Sequence, residues 1–208
     1  MKRHAGFTIV ELMVGLLIAM LIMAMVLMFF KQISQVSISS SQDAEYDAQL
    51  QTGTLVAQKF IQNAGYGSGS PDDIALGTYA THPAVFWRFI PDLAAVPITY
   101  ECQGIGEEIT ADGSLFIHRL VLLTKAACGD STAIESGTWA EYQPIMSIRT
   151  SRSTPIFDYQ ISSSGCTPFG IDTQNVGLKQ LSITAYRQHI SAGIGSNTKT
   201  TICLNNIK

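Results

Sequence analysis

Charge is scarce in this sequence: Asp, Glu, Lys and Arg make up 14% of 208 residues, and the net charge is −3. A sparsely charged, mildly acidic chain has no basic footprint for gripping a phosphate backbone, which takes several contacts. Arg149 and Arg152 flank Thr150-Ser151, but two arginines in a predicted loop fall short of that. Nucleic acid is therefore not an expected partner. Metal-ligand spacing is missing as well. Cys102, Cys128, Cys166 and Cys203 form no Cys-x-x-Cys pair, and His4, His82, His118 and His189 form no His-x-x-x-His. That removes the usual zinc arrangements. There is no Gly-x-Ser-x-Gly elbow and no phosphate-binding loop with its Lys. The acidic pairs Asp72-Asp73 and Glu107-Glu108 fall in predicted loops. Solvated charge is the expectation there, with Ca²⁺ ligation as the alternative. No catalytic residue, metal or cofactor is expected, and no internal repeat or βαβ alternation is visible.

One further absence points to what is there. From Leu12 to Phe30 there are nineteen residues with no charge, Pro, Asn or Gln. At about 1.5 Å rise per residue, a helix of this length spans the roughly 30 Å hydrocarbon core of a bilayer. Leu, Met, Ala and Ile are good helix formers, and a helix apolar on every face is rarely a core helix of a small protein. A cleaved secretory signal would end in small residues, but this run ends Leu27-Met28-Phe29-Phe30-Lys31, so the helix is expected to be retained. Lys2 and Arg3 precede it and acidic residues dominate after it, which places the N-terminus in the cytoplasm. Glu11 is the anomaly. A carboxylate inside such a segment costs a few kcal/mol at the bilayer centre and normally has a partner. No cation occurs in the next nineteen residues, and Arg3 and His4 lie about two turns upstream, across Gly6. The expected partner is on another molecule or is a new N-terminus. The alternative is an interfacial Glu that reaches headgroup water.

A short basic leader ending in Gly6, then Phe7-Thr8-x-x-Glu11, then about twenty apolar residues resembles the N-terminus of type IV prepilins. The resemblance implies cleavage between Gly6 and Phe7 by a dedicated membrane peptidase, which also N-methylates Phe7. It implies that Glu11 meets the N-terminal amine of a neighbouring subunit during assembly. Many major pilins carry a Pro in the later part of this helix; this chain does not, a departure from the major-subunit pattern. Ala64-Gly65-Tyr66 at the expected helix end resembles PilW-type minor pilins and also the J-type pseudopilins of type II secretion. The function implied is a minor pilin in pilus assembly or initiation, supporting twitching motility, adhesion or DNA uptake. The implied partners are the prepilin peptidase/methyltransferase, other minor pilins, the major pilin, the pilus assembly platform and the inner membrane. The chain would be a single-pass inner-membrane protein with a periplasmic C-terminal domain, and would move later to the pilus. A type II secretion pseudopilin is the nearest alternative. A membrane-tethered exported enzyme or binding protein is the alternative from a different class.

The remainder reads as one helix continued and then strands. Leu50, Thr54, Ala57, Ile61 and Ala64 make an amphipathic stripe. Ser37–Gln42 is a weak helix former, and Gly65 to Pro71 ends the helix. Strands are expected at Val85–Ile90, Ile98–Cys102, Ser114–Thr124, Ser147–Arg149, Ile156–Ser162, Leu178–His189 and Thr200–Leu204. The expected fold class is α+β with a type IV pilin-like fold: one long helix packed, through Leu50–Ala64, on one antiparallel sheet. The divisions are 1–6 leader, 7–30 membrane and assembly half of the helix, 31–64 amphipathic half, and 65–208 sheet domain. Trp87, Trp139, Phe86, Phe89 and Tyr142 are expected to be core or sheet-packing residues, with an adhesive surface as the alternative. An even number of well-separated cysteines beyond the membrane run favours two disulfides. Of the three connectivities, the sequence-local one, Cys102–Cys128 with Cys166–Cys203, is expected; free buried thiols are the alternative.

Overall fold

The computed structural model describes residues 8–126, 128–130, 133–163, 166, 179–188 and 195–207. The chain divides into two compact units, Met1–Ala44 and Glu45–Lys208.

The first unit is the N-terminal part of one continuous α-helix, α1 (Ile9–Ile61). Its residues from Ile9 to Phe30 are all exposed, and α1 is long and apolar enough to cross a membrane. The helix runs unbroken through Ser37–Gln42, the weak helix-forming stretch. The Ser39 hydroxyl turns back to donate to the Val36 carbonyl at 3.1 Å, a local bond of the kind by which Ser competes with the helix ladder.

The second unit holds the C-terminal part of α1 and two antiparallel sheets. The helix buries Tyr46, Leu50, Gly53, Thr54, Ala57 and Ile61, the i, i+4, i+7 stripe that helical periodicity puts on one face. The Thr54 hydroxyl is satisfied by the Leu50 carbonyl at 2.8 Å. The first sheet runs in chain order: β1 (Ile74–Tyr79), β2 (His82–Phe89), β3 (Glu101–Asp112), β4 (Leu115–Lys125) and β5 (Ala140–Thr150). The second contains β6 (Phe157–Ser162), β7 (Gln180–Gln188) and β8 (Gly195–Cys203), also in chain order. The layout is α+β, as expected, and consistent with the type IV pilin fold, but with two sheets rather than one. The chain leaves the first sheet after Thr150, and Pro155, which has no N–H to give a ladder, lies just before β6. Residues Ile98–Tyr100 lie outside any strand, while β1 and most of β3 and β5 are strand beyond the expected limits. Gly77 in β1 and Gly104 and Gly106 in β3 weaken a strand pattern because they offer no side chain to alternate.

The main core lies between the helix stripe and the two sheets, with Leu50, Ile61, Trp87, Leu122, Phe157 and Leu181 among its fully buried members. A smaller apolar cluster holds Ala84, Phe86, Val121, Leu123 and Ile134. Ala84 and Phe86 alternate along β2 with Val85 and Trp87, and Val121 and Leu123 alternate along β4 with Leu120 and Leu122. Period 2 therefore puts this cluster on the opposite face of the first sheet. Phe86, Trp87 and Phe89 are buried, and Trp139 is half-buried with its ring stacked 4.5 Å from Phe86, whereas Tyr142 is exposed.

Candidate functional site

At the start of α1, Thr8 and Glu11 bond to each other in both directions. The Thr8 backbone N–H and hydroxyl each donate to Glu11 Oε2 at 3.0 Å, and the Glu11 N–H donates to Thr8 Oγ1 at 3.3 Å. This is a capping box: it satisfies helix-start donors that have no partner within the helix. Glu11 thus has a partner inside its own chain, and that partner is a hydroxyl and an amide rather than a cation. The Thr-x-x-Glu spacing was the available signal. Both bonds fall on Oε2, and Oε1 receives none from the described residues. Gly6, Phe7 and His4 lie outside those residues.

The Ala64-Gly65-Tyr66 stretch is a junction of three chain segments. The Gly65 N–H donates to the Arg88 carbonyl at 2.9 Å, and the Ile90 N–H donates to the Tyr66 carbonyl at 2.8 Å, so the turn after the helix pairs with the end of β2. Gly65 has φ +71, and a Cβ there would stand 2.5 Å from Ile207 Cγ1 and 3.1 Å from the Asn206 carbonyl oxygen. Asn206 in turn donates through Nδ2 to the Gln62 carbonyl at 3.0 Å. Just beyond, Asp73 is fully buried and accepts from Arg88 Nε at 2.5 Å, from the Ser70 N–H at 3.2 Å and from the Ser68 hydroxyl. Asp73 is thus a buried structural acceptor and not a solvated loop charge.

Glu107 departs from expectation in the same way. It lies in β3, fully buried, and accepts from the Ile156 N–H at 2.9 Å and the Phe157 N–H at 3.0 Å. His118 Nδ1 stands 2.5 Å from Glu107 Oε1, and His118 Nε2 stands 2.7 Å from the Arg152 carbonyl oxygen. A carbonyl can only accept, so Nε2 carries a proton. Nδ1 faces a carboxyl group that already accepts from two backbone N–H groups, so ring and carboxyl form one buried hydrogen-bonded pair. The pair joins β3 and β4 of the first sheet to the start of the second. Its partner in sequence, Glu108, pairs with Arg119 at 3.0 Å and accepts from the Tyr79 hydroxyl at 2.9 Å. Arg149 pairs with Asp112 at 2.5 Å, and Arg152 lies over the Tyr186 ring at 4.6 Å, so the two arginines weighed for phosphate contact are both engaged within the chain. The Tyr46 hydroxyl donates to the Tyr186 carbonyl at 3.0 Å, and burial pushes its pKa up to about 12. Among the described residues no group of three His, Cys, Asp or Glu could hold a metal ion. Cys102 is bonded to Cys128 and Cys166 to Cys203, with Cα–Cα separations of 5.7 and 5.8 Å.

Residues 1–27 match the family described as the prokaryotic N-terminal methylation motif. No match is found among curated proteins or among solved structures. The family match supports a type IV prepilin-like protein, a subunit of the pilin or pseudopilin class, and points to a structural subunit rather than an enzyme. Such a motif implies processing by prepilin peptidase and assembly with other pilins. The apolar N-terminal helix fits anchoring in the inner membrane before incorporation into a pilus.

Proposed function

We propose that this chain is a PilW-like minor pilin of a type IV pilus, acting in the complex that starts or tips the filament. The peptidase hydrolyses the Gly6–Phe7 bond, releasing residues 1–6 and leaving a new amine on Phe7 that is then methylated. Residues 7–30 anchor the subunit before assembly and pack among neighbouring helices after it. Residues 31–64 carry the amphipathic continuation, and residues 65–208 form the periplasmic, later surface-exposed, domain. The observation that carries this reading is the lone carboxylate of Glu11 at the start of an apolar helix. Its Oε2 is held by Thr8, and Oε1 accepts no hydrogen bond from the described residues. A methylated amine from a neighbouring subunit supplies a cation where water is scarce and the pairing is strong.

A type II secretion pseudopilin shares the same N-terminal chemistry, and Ala64-Gly65-Tyr66 resembles both subfamilies. Its partners would be other pseudopilins. A tethered enzyme or binding protein would need neither Gly6 nor Glu11. Gly6→Ala separates the tether from the other two. The expected result is a full-length chain in the membrane fraction whose intact mass retains residues 1–6, while the unsubstituted chain has lost them and gained a methyl group. Normal leader loss in the Gly6→Ala chain would contradict the proposal.

A further inference from the structure

Strands β2 and β3 meet with Phe89 opposite Glu101, so a tight turn would be enough to join them. The connection is instead the eleven residues from Ile90 to Tyr100. A loop longer than its span needs, with its ends together, is commonly functional. The composition reverses that of a solvated loop. Asp92 is the only charge, and Leu93, Val96 and Ile98 are large and apolar. All three are exposed, Val96 at 96%. The Asp92 carboxylate is turned into the loop, where Oδ1 accepts from the Ala94 N–H at 2.9 Å.

The loop is held at its root and constrained along its length. The bond from the Ile90 N–H to the Tyr66 carbonyl fixes it beside the helix end, and Leu93 lies against Gly67, where a Cβ would stand 2.8 Å from Leu93 Cδ2. Pro91 and Pro97 fix φ at two positions, and the Ala95 N–H donates to the Asp92 carbonyl at 3.4 Å. An apolar prong ordered in this way loses little chain entropy on docking. The same unit carries a recess. Ala48, Thr52 and Gly53 put small side chains on α1, and Gly53 lies so close to β5 that a Cβ there would run into the Met146 side chain. An open groove of about 380 Å³ runs between them and Ile145 and Met146 of β5, and no charged side chain lines it. β5 ends the first sheet.

We infer, on the reading of this chain as an assembling subunit, that the loop 90–100 of one copy docks in the groove between α1 and β5 of a second copy. Prong and groove match in chemistry: both are apolar and uncharged, so docking buries Leu93, Val96 and Ile98 without stranding a charge. They are different patches, which makes the contact heterologous. A copy that offers its prong still has its groove open, and further copies add without closing a ring. The prong springs from the end of α1, whereas Thr52 lies nine residues before Ile61, about 14 Å back along the helix. Successive copies are therefore stepped along the helix axis, as subunits of a filament are. One loop covers far less than the roughly 1,200 Å² at which stable interfaces begin, so the contact adds to helix packing and does not replace it.

The test uses the full chain in detergent micelles, where copies are free to take this step. The native cysteines are bonded in pairs, so a short bismaleimide joins only introduced thiols. Val96→Cys mixed with Thr52→Cys is compared with Val96→Cys mixed with Ser114→Cys; all three positions are exposed, so the core is left intact. The expected result is at least about tenfold more mixed dimer in the first pair, lost when Ile98→Asp is added to the Val96→Cys chain. A chain carrying both Val96→Cys and Thr52→Cys should give a ladder beyond the dimer. Equal mixed dimer in the two pairs would overturn the inference, because the loop would then have no preferred site. Equal dimer from Val96→Cys alone would also overturn it, by assigning a contact between two loops. Neither result alters leader removal in the Gly6→Ala chain, so the assembly reading is tested separately.

Discussion

A Glu107→Ala chain should lose about 3–5 kcal/mol of stability in the unit formed by Glu45–Lys208, enough to bring many domains of this size close to unfolding. The carboxylate is at 0% exposure and is the common acceptor for His118 and for the Ile156 and Phe157 N–H groups. Truncation strands a buried imidazole ring nitrogen and two backbone donors without their acceptor. Glu107→Gln should cost less. Its amide oxygen still accepts from the backbone, but its NH₂ cannot replace the second accepting oxygen of the carboxyl group. Replacing Glu107 and His118 together by apolar residues should cost less than Glu107→Ala alone, since the buried ring is then not left without its partner. Urea unfolding followed by tryptophan fluorescence reads this directly, because both tryptophans, Trp87 and Trp139, lie in this unit. A Glu107→Ala midpoint within error of the unsubstituted chain would show that the pair is not a tie between the sheets.

Gly65→Val should cost about 3 kcal/mol or more in the same measurement. Two independent penalties combine at this position. Positive φ is unfavourable by about 1–2 kcal/mol for residues with a Cβ, and more for a branched one. The added atoms also overlap Ile207 and the Asn206 backbone, and overpacking costs about 1–3 kcal/mol. Gly113 is the control. It sits in the turn between β3 and β4 at φ +64 with open space around its missing side chain. Gly113→Asn should therefore cost no more than about 1 kcal/mol, since Asn tolerates the left-handed region. If the two substitutions cost the same, the close approach of the C-terminal residues to the helix end carries no weight.

The parts of this molecule that were legible in its sequence are those set by local periodicity. The nineteen-residue apolar run, the stripe through Leu50, Ala57 and Ile61, and the glycine-rich helix end each need only near neighbours to define them. The β4 strand was legible for the same reason, since the Asp112-Gly113 turn and the residues after it form an uninterrupted pattern. Glu107 was not legible. Two glycines precede it in β3, which makes the region look like loop. Its partners come from register across β3–β4 and from Ile156, forty-nine residues away in the chain. A period-2 pattern also does not say how many sheets its strands will form, so one sheet was expected where there are two. The apolar run Leu120–Leu123, and Val85–Ile90 broken only by Arg88, did carry the signal for burial on both faces. The Thr8–Glu11 box was written in the spacing itself, but attention to charge pairing hid a partner that is a hydroxyl and an amide.

Glu11 decides whether the N-terminal helix is a device for assembly or only a tether. The direct measurement is to express Glu11→Leu in place of the unsubstituted chain, confirm leader removal by intact mass, and quantify the subunit in sheared pili against the membrane fraction. The prediction is a correctly processed subunit that accumulates in the membrane and is absent from pili. A Glu11→Leu subunit that is processed and found in pili at the unsubstituted level would contradict it.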